Sequence, residues 1–409
     1  MENFTDVAYI FNTFLLIFSG CLVMWMAAGF AMLEAGLVRS KNTTAILTKN
    51  IGLYALACIC FYIGGYQLMY GDFTGKDHSG MADFFFQVVF VATAASIVSG
   101  TIAERAKFWP FMGVVLVLTI FIYPAQGAWT WGGGWLSEIG FSDFAGSTIV
   151  HSVGGWCALA GALLLGPRTG RYNEDGKPNM MAPANLPLAT LGTFILWFGW
   201  FGFNGGSQLA MGTKEDVDAI ATVIANTNIA ACAGALIAMF MTYVFYSRID
   251  LTMVLNGALA GLVSITAGPD YPPMWLAGLI GMIGGALCVY AVPLWDKLKI
   301  DDPVGALSVH LIAGIWGTLA VGIFNEDVAF STQLAGVVSI GMFVLFCSLI
   351  IWGSLKYTVG IRVTKEIEDV GLDWEEFGTP AYSLSKTSAA WKGEVVNARG
   401  KLLTTTIVN

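Results

Sequence analysis

Charged residues are scarce in this sequence, and their scarcity excludes several classes of protein. They make up 12% of the 409 residues, whereas soluble domains usually carry about 25%. Hydrophobic residues make up 56%, so neither a disordered chain nor a soluble enzyme fits. The net charge is −8 and no basic stripe offsets it, which argues against a nucleic-acid partner.

Metal-binding and processing signals are also missing. The seven cysteines lie in apolar stretches without any CxxC pair, so we interpret all of them as small buried apolar residues. We expect no metal and no other cofactor. The first six residues, MENFTD, lack the basic segment that begins a cleaved signal peptide.

Long apolar stretches dominate the sequence instead. A helix that spans a bilayer needs about 20 apolar residues, whereas barrel strands have about ten residues with strict alternation. The stretches here are longer and apolar on all faces, which predicts an all-α polytopic membrane protein. We predict eleven transmembrane helices, at 8–36, 43–70, 82–104, 110–129, 144–166, 186–207, 219–246, 251–267, 274–295, 303–324 and 331–358.

Lysine and arginine are distributed unevenly among the connections. Those after the odd-numbered predicted helices hold ten, those after the even-numbered ones hold two, and the segment from Lys356 onward adds seven. Because basic residues stay on the cytoplasmic side, we predict an outer N-terminus and a cytoplasmic C-terminus, in the cell (plasma) membrane. The outer connections are rich in acids, which either concentrate cations or simply occupy positions that bases avoid.

One nine-residue pattern occurs twice. DFAGSTIVH covers 143–151 and DPVGALSVH covers 302–310. Each copy opens the fifth helix of a group of five, so we predict that 186–324 is an inverted repeat of 8–166. Together with the eleventh helix, 331–358, the repeats make a transmembrane domain over residues 1–360. Residues 361–409 then form a cytoplasmic tail.

Two of the three histidines, His151 and His310, end these two copies. Each lies eight residues into its predicted helix, a rise of about 12 Å that reaches mid-bilayer. Ionisable groups at that depth usually mark a pathway, although two satisfied core histidines are the alternative. At equivalent positions of an inverted repeat they can meet, share an N–H···N bond and contact a small polar solute. Two histidines without a third ligand are a poor metal site.

Aromatic residues gather towards the outer ends of the predicted helices. Trp131 lies in WGGGW, Phe90 lies in DFFFQVVF, and WFGWFGFNGGS runs from Trp197 to Ser207. Ring faces over an entrance attract a cation by about 0.5–2 kcal/mol, and the Ser207 hydroxyl can accept a hydrogen bond from it. An interfacial aromatic belt is the alternative interpretation.

Acidic residues stand at the start of both repeat copies. An aspartate at a helix start most often caps it, so we interpret Asp143 and Asp302 as structural. An electrostatic role of Asp143 in drawing in a cation stays open. Glu34 and Lys49, near the cytoplasmic ends of the first two helices, could form an ion pair, which we also interpret as structural.

Taken together, these segments resemble the ammonium transporter family (Amt/Mep/Rh), and the Amt branch more than the Rh branch. The resemblance covers about residues 8–382 and includes GFAMLEAGLVRSKN, DFFFQVVF, SGTIAER, WGGGW, DFAGSTIVH, GWFGFNGGS and DDPVGALSVH. It implies an eleven-helix protomer with its own pore, assembled as a homotrimer in membrane lipid. Trp131, Phe90 and Ser207 resemble the family's external cation site, and Phe90 with Phe203 resembles the stacked rings that close the pore.

The resemblance also implies roles for residues of the two repeat copies. His151 and His310 resemble the paired histidines that line the pore, and Asp143 resembles the family's essential aspartate near the entrance. Ammonium would be captured outside and deprotonated, and ammonia would pass the histidines while the proton follows separately. Potassium has no proton to lose, which would give selectivity. Methylammonium is the expected analogue.

Segment 361–382, IRVTKEIEDVGLDWEEFGTPAY, resembles the family's regulatory tail. In the family this tail packs against neighbouring subunits, and PII signal proteins can dock on the same face. Phe377 stands where an Amt tail often has histidine, a departure that bears on PII docking. Residues 383–409 have no apolar stretch of span length, and we expect them to form a mobile tail.

Three functions stay open at this point. The first is a selective ammonium transporter, and the second is an ammonium sensor on the same fold that signals through its tail or a partner. The third is a passive channel for a neutral gas or a small amide such as urea. A sensor needs an output domain, which the 27 residues after 382 cannot form alone. The outer aromatic and hydroxyl residues favour a cation over a neutral solute, and no nucleophile–base pair suggests an enzyme.

Overall fold

The structure, a computed structural model, describes residues 2–382, with side chains from residue 6 onward. Over that part of the chain it is helical, and its extended pairings are two isolated bridges, Ala106 with Arg362 and Tyr172 with Pro178. The mobile tail expected at 383–409 lies outside the described residues.

Ten of the described helices are long and apolar enough to cross a membrane, and one apolar helix is shorter. In chain order they are α1 (Asp6–Leu37), α2 (Ser40–Tyr70), α3 (Gly80–Thr101), α4 (Phe108–Ala128), α5 (Ser147–Leu165), α6 (Leu186–Gly206), α7 (Lys214–Tyr246), α8 (Leu251–Ile265), α9 (Met274–Lys297), α10 (Leu307–Phe324) and α11 (Phe330–Thr358). The short helix α8 has 15 residues, fewer than the about 20 that a bilayer needs. Below, the N-terminal end of the bundle is the end where α1 begins, and the tail end is the end where α1 and α11 finish.

Most helix ends fall within four residues of the predicted positions. The starts of α5, α7 and α10 differ from the prediction. α7 begins at Lys214 rather than 219, because Thr213 and Asp216 form a reciprocal capping box around its charged first turn. α5 and α10 begin at Ser147 and Leu307 rather than at 144 and 303. The residues that precede them form capped turns, which belong to the candidate site.

Glycines bring α1 and α6 into close contact. A Cβ added at Gly36 of α1 would lie 2.4 Å from the backbone nitrogen of Ala189, and one at Gly192 of α6 would lie 2.3 Å from that of Leu33. No side chain fits at such distances, so the two helices pack backbone against backbone, as membrane helices with small residues often do. The aromatic motif of α6 is thereby fixed beside α1.

The prediction that all seven cysteines are buried is wrong for part of the set. In this single chain three are buried, three are partly exposed and one is exposed; in that order they are Cys60, Cys157 and Cys288, then Cys58, Cys232 and Cys347, then Cys21. A helix face towards lipid is as apolar as one towards protein. An apolar stretch therefore does not reveal which of its residues are buried.

An ion-pair network closes the tail end of the bundle. The guanidinium of Arg168 lies 2.7 Å from a carboxylate oxygen of Asp301 and 2.8 Å from one of Glu104, and all three side chains are buried. Burial acts to raise the pKa of Asp301, but the hydrogen bonds and charge of Arg168 outweigh it and hold that pKa well below its usual range. The network ties the end of α3 to the connections before α6 and α10.

After α11 the chain folds back across the tail end in two short helices, α12 (Lys365–Val370) and α13 (Leu372–Glu375). The carboxylate of Asp373 accepts a hydrogen bond from the backbone nitrogen of Ala45 near the start of α2, at 2.9 Å. Phe377 packs edge-on against Phe108, with ring centroids 5.7 Å apart. The tail is therefore docked on helix ends of its own chain.

Candidate functional site

The two copies of the repeated sequence pattern adopt similar backbone conformations. Each places a glycine with positive φ, Gly146 at 108° and Gly305 at 82°, before a short π-helical turn, Ser147–Ser152 in α5 and Leu307–Ile312 in α10. Glycine adopts positive φ without a steric penalty, and π-helical turns inside α-helices are frequent at functional sites. Each turn contains the histidine of its copy.

The aspartate that begins each copy caps the turn that follows it. The carboxylate of Asp143 is 3% exposed and accepts hydrogen bonds of 2.8–3.1 Å from the backbone nitrogens of residues 146, 147, 148 and 149. Asp302 accepts one bond from the Leu307 nitrogen (2.8 Å) and one from the Thr101 hydroxyl (3.2 Å). Burial raises the pKa of Asp143 although its four backbone donors act to lower it. Both oxygens of Asp143 are thus engaged inside the protein.

His151 and His310 lie side by side in the interior of the bundle. Their Nδ1 atoms are 3.2 Å apart, their ring centroids are 5.2 Å apart at 18°, and the residues are 0% and 3% exposed. One Nδ1 must carry the hydrogen that the other accepts, so the two rings share one N–H···N bond. Among the described residues, Nε2 of His151 has no hydrogen-bond partner. Because α5 and α10 start later than predicted, these histidines are the fifth and fourth residues of their helices.

A row of aromatic rings extends from the N-terminal end of the bundle to the histidine pair. Phe90 and Phe203 stack with ring centroids 4.0 Å apart at 26°, and they are 1% and 0% exposed. Trp131 meets Phe90 edge-to-face at 6.2 Å, and Phe203 lies 5.3 Å from the ring of His151. Trp131, the phenylalanine pair and the histidine pair therefore follow one another in a continuous line of ring contacts.

Ser207 and Trp131 are partly exposed at the N-terminal side of this line. The Ser207 hydroxyl donates to the carbonyl oxygen of Phe203 at 2.8 Å, and Trp131 Nε1 donates to the carbonyl oxygen of Asp143 at 2.9 Å. Each hydrogen bond orients its side chain and uses the hydrogen of the polar group. The lone pairs of the hydroxyl and the π-face of the indole remain available to a cation.

Two further aromatic residues, which we did not identify from the sequence, contact the histidines. Trp200 stacks on His151 with ring centroids 4.9 Å apart at 16°, and its Nε1 donates to the Thr266 hydroxyl at 2.8 Å. Phe30 of α1 lies 6.0 Å from His310. Trp200 could have been found, because it is three residues before Phe203 and so shares its face of α6. Nothing in the sequence links Phe30 to His310.

Two neighbouring cavities continue from the histidine pair towards the tail end. The smaller, of about 10 Å³, is lined by His310, Phe30 and Glu34 among other residues. The larger, of about 420 Å³, is lined by residues that include Ser308 and Asp302. Asn256 and Val304 line both cavities. The line of aromatic rings, the histidine pair and the two cavities together outline a path through the bundle.

The chemistry of this path suits a small neutral molecule with N–H groups. Taking an ion out of water into such surroundings costs several kcal/mol, whereas a neutral molecule can exchange its hydrogen bonds with water for bonds with imidazole nitrogens. Within residues 2–382, no group of three or more His, Cys, Asp or Glu side chains is placed to hold a metal ion.

Comparisons with known proteins agree with this geometry. The family model described as Ammonium Transporter Family matches residues 13–382. The protein named Ammonium transporter Amt2 from Archaeoglobus fulgidus is 41% identical over 407 residues, which cover 89% of this chain and 86% of that protein. A solved structure titled Sensor Amt Protein superimposes with a TM-score of 0.86 at 37% identity, covering 92% of this chain and 100% of that one. Mep2 from Candida albicans superimposes with a TM-score of 0.80 at 25% identity, covering 89% and 88%.

Proposed function

Because the chain belongs to the ammonium transporter family, we propose that it takes up ammonium selectively by splitting the ion into ammonia and a proton. The observation that carries this proposal is the contact between the stacked phenylalanines and the buried histidine pair. Phe203 lies against Phe90 on one side, at 4.0 Å, and against His151 on the other, at 5.3 Å. A hydrated ion that reaches the rings must lose water before it reaches an imidazole.

Ammonium is recruited at the N-terminal side of the rings, by Trp131, Phe90 and Ser207. The indole and phenyl faces attract the cation by about 0.5–2 kcal/mol, and the Ser207 oxygen accepts a hydrogen bond from one of its N–H groups. Asp143 supports this site by position, because its carbonyl oxygen orients Trp131 while its carboxylate caps α5. Its buried negative charge also favours a cation nearby.

Deprotonation occurs at the Phe90–Phe203 gate, and ammonia then passes the histidines. A neutral ammonia molecule avoids the desolvation cost that an ion would meet among buried rings. Nε2 of His151, which has no hydrogen-bond partner within residues 2–382, can accept a hydrogen bond or a proton there, and the shared Nδ1 bond links this ring to His310. Potassium cannot enter this sequence of steps, because it has no proton to release.

The membrane arrangement that we propose has eleven crossings, with the N-terminus outside and the C-terminus in the cytoplasm. The short helix α8 serves as the eighth crossing: its residues from Leu255 to Ile265 are all buried, and a helix enclosed by protein need not match the bilayer thickness. The protein works as a homotrimer in the plasma membrane. A PII-type regulator at the docked tail is part of the proposal, and Phe377 then forms part of that face.

The proposal is tested by recording current from protein-loaded liposomes after ammonium is added. We expect a saturable ammonium current, a smaller methylammonium current and none with potassium. Changing His151→Leu and His310→Leu together removes every imidazole from the path, so it should abolish the current while ammonium binding persists. Ammonium currents of wild-type size in this double variant would contradict the proposed proton relay.

A sensor is the second candidate, since the chain superimposes on a structure titled Sensor Amt Protein over 92% of its length. In that case the docked tail would report whether the outer site is occupied. Ammonium binding without ammonium current, together with no change of internal pH in loaded vesicles, would favour this alternative.

A further inference from the structure

Glu34 is a buried carboxylate on the tail-end side of the histidine pair. It is 2% exposed and lies one helical turn after Phe30, which contacts His310. Glu34 and His310 line the same cavity of about 10 Å³, room for about one water molecule. The larger cavity adjoins this one through Asn256 and Val304.

The bonds of Glu34 differ from those that the sequence suggested. The predicted ion pair with Lys49 is wrong, because the Lys49 ammonium donates instead to the carbonyl oxygen of Ala106 at 2.7 Å. Ser99 donates to the carboxylate at 2.7 Å from either oxygen, and Asn50 donates to Oε2 at 2.9 Å. Among the described residues, the carboxylate is hydrogen-bonded but forms no salt bridge.

Few other titratable groups lie around this carboxylate. The charge of Lys49 on α2 interacts with the carboxylate without a hydrogen bond between them. Helices α6 and α8 contain no titratable side chain. On α3 the one ionisable residue, Asp83, lies near the opposite end of the helix. The nearest titratable group on α10 is His310. Asp302, which precedes that helix, accepts hydrogen bonds from the Leu307 nitrogen and the Thr101 hydroxyl.

We propose that Glu34 is the proton acceptor of the path on its tail-end side, taking the proton that leaves the histidine pair. The inference rests on the proposed ammonium transport. An N–H bond of the His310 imidazolium breaks as a water molecule in the small cavity takes the proton. That water passes a proton to the Glu34 carboxylate, which becomes a carboxylic acid. The acid O–H then breaks, and the proton joins ammonia emerging into the larger cavity to form ammonium.

A carboxylate at this position completes what the imidazoles begin. The histidine pair returns to its neutral form only when its proton is removed, and an oxygen base one water away provides that removal. Proton transfer by a positioned side chain typically accelerates a step by 10²–10⁴-fold, as an order of magnitude. Hydrogen bonds from Ser99 and Asn50 hold the carboxylate in place.

The test compares Glu34→Gln with Glu34→Asp in the liposome current assay. Glutamine keeps the shape and accepts the Ser99 bond but cannot carry the proton, so the ammonium current should fall by about tenfold or more. Aspartate keeps a carboxylate and should restore a substantial part of the current. Ammonium binding at the outer site should stay within about twofold of wild type in both variants, because Glu34 is not part of that site. Equal currents in wild type and Glu34→Gln overturn the inference.

Ser99→Ala gives a second test that does not alter Glu34 itself. Loss of the Ser99 donor leaves Asn50 as the side-chain donor that holds the carboxylate. The midpoint of the current measured against tail-side pH should therefore differ from that of wild type. A profile that does not move contradicts a titrating role for Glu34, even if Glu34→Gln fails to fold. Absence of any ammonium current in the wild-type protein would instead overturn the proposed function.

Discussion

Replacing Asp143 with asparagine separates its capping role from a role in cation recruitment. The carboxylate accepts four backbone hydrogen bonds, from residues 146 and 147 on Oδ1 and from 148 and 149 on Oδ2. Asparagine keeps one oxygen, which can serve two of these donors. Its NH₂ group then faces the other two buried N–H groups, which lose their acceptor.

The expected cost follows from those two lost bonds. A hydrogen bond to a charged group contributes about 1.5–3 kcal/mol, so Asp143→Asn should lower the free energy of unfolding by about 3–6 kcal/mol. Asp302→Asn is the matched control, because its amide oxygen keeps the Leu307 donor and its NH₂ can donate to the Thr101 hydroxyl, which then acts as acceptor. We expect that variant to lose only about 1 kcal/mol.

The measurement is denaturant unfolding in detergent micelles, followed by tryptophan fluorescence, with liposome current recorded on the same preparations. If the main role of Asp143 is to cap α5, Asp143→Asn should lower both the free energy of unfolding and the ammonium current per folded protein. Suppose instead that Asp143→Asn unfolds within about 1 kcal/mol of wild type yet carries no ammonium current. The carboxylate would then act on the cation directly, and the capping argument would be refuted.

Three other changes have defined outcomes. Trp131→Leu removes the indole face and should raise the half-saturating ammonium concentration by about 2- to 30-fold, as expected for a loss of about 0.5–2 kcal/mol; an unchanged value would exclude Trp131 from the outer site. Phe203→Ala removes one ring of the stacked gate, so a potassium-evoked current should appear, while Phe203→Tyr, which keeps the ring, should stay closed to potassium. Arg168→Met removes the buried guanidinium that Glu104 and Asp301 share, so each keeps a more exposed arginine, Arg39 or Arg171, as its partner; the change should cost about 3–5 kcal/mol in unfolding experiments. The depressed pKa of Asp301 adds stability that is complete above about pH 4 and is lost as pH falls towards the folded value, so Arg168→Met should weaken this acid dependence.

Apolar stretches in the sequence are enough to predict the class of protein and most of its helices. Stretches of about 20 apolar residues have few other stable states than membrane helices, so ten predicted helices have the length of a membrane span. The pairing of His151 with His310 was predictable for a similar reason. Their identical place in a repeated pattern restricts where the two side chains can lie, and their Nδ1 atoms are 3.2 Å apart in the structure.

Contacts between distant helices, in contrast, could not be predicted from the sequence. Glu34 and Lys49 have opposite charges and lie near each other in sequence, yet Glu34 bonds Ser99 of α3 and Lys49 bonds Ala106. Exposure of the cysteines likewise depends on which helix face meets lipid, and composition is the same on both faces. Side-chain partners depend on helix rotation and crossing, which arise from the packing of the whole bundle. For that physical reason an apolar pattern locates the helices, while the path between them and its neighbouring carboxylate emerge only in three dimensions.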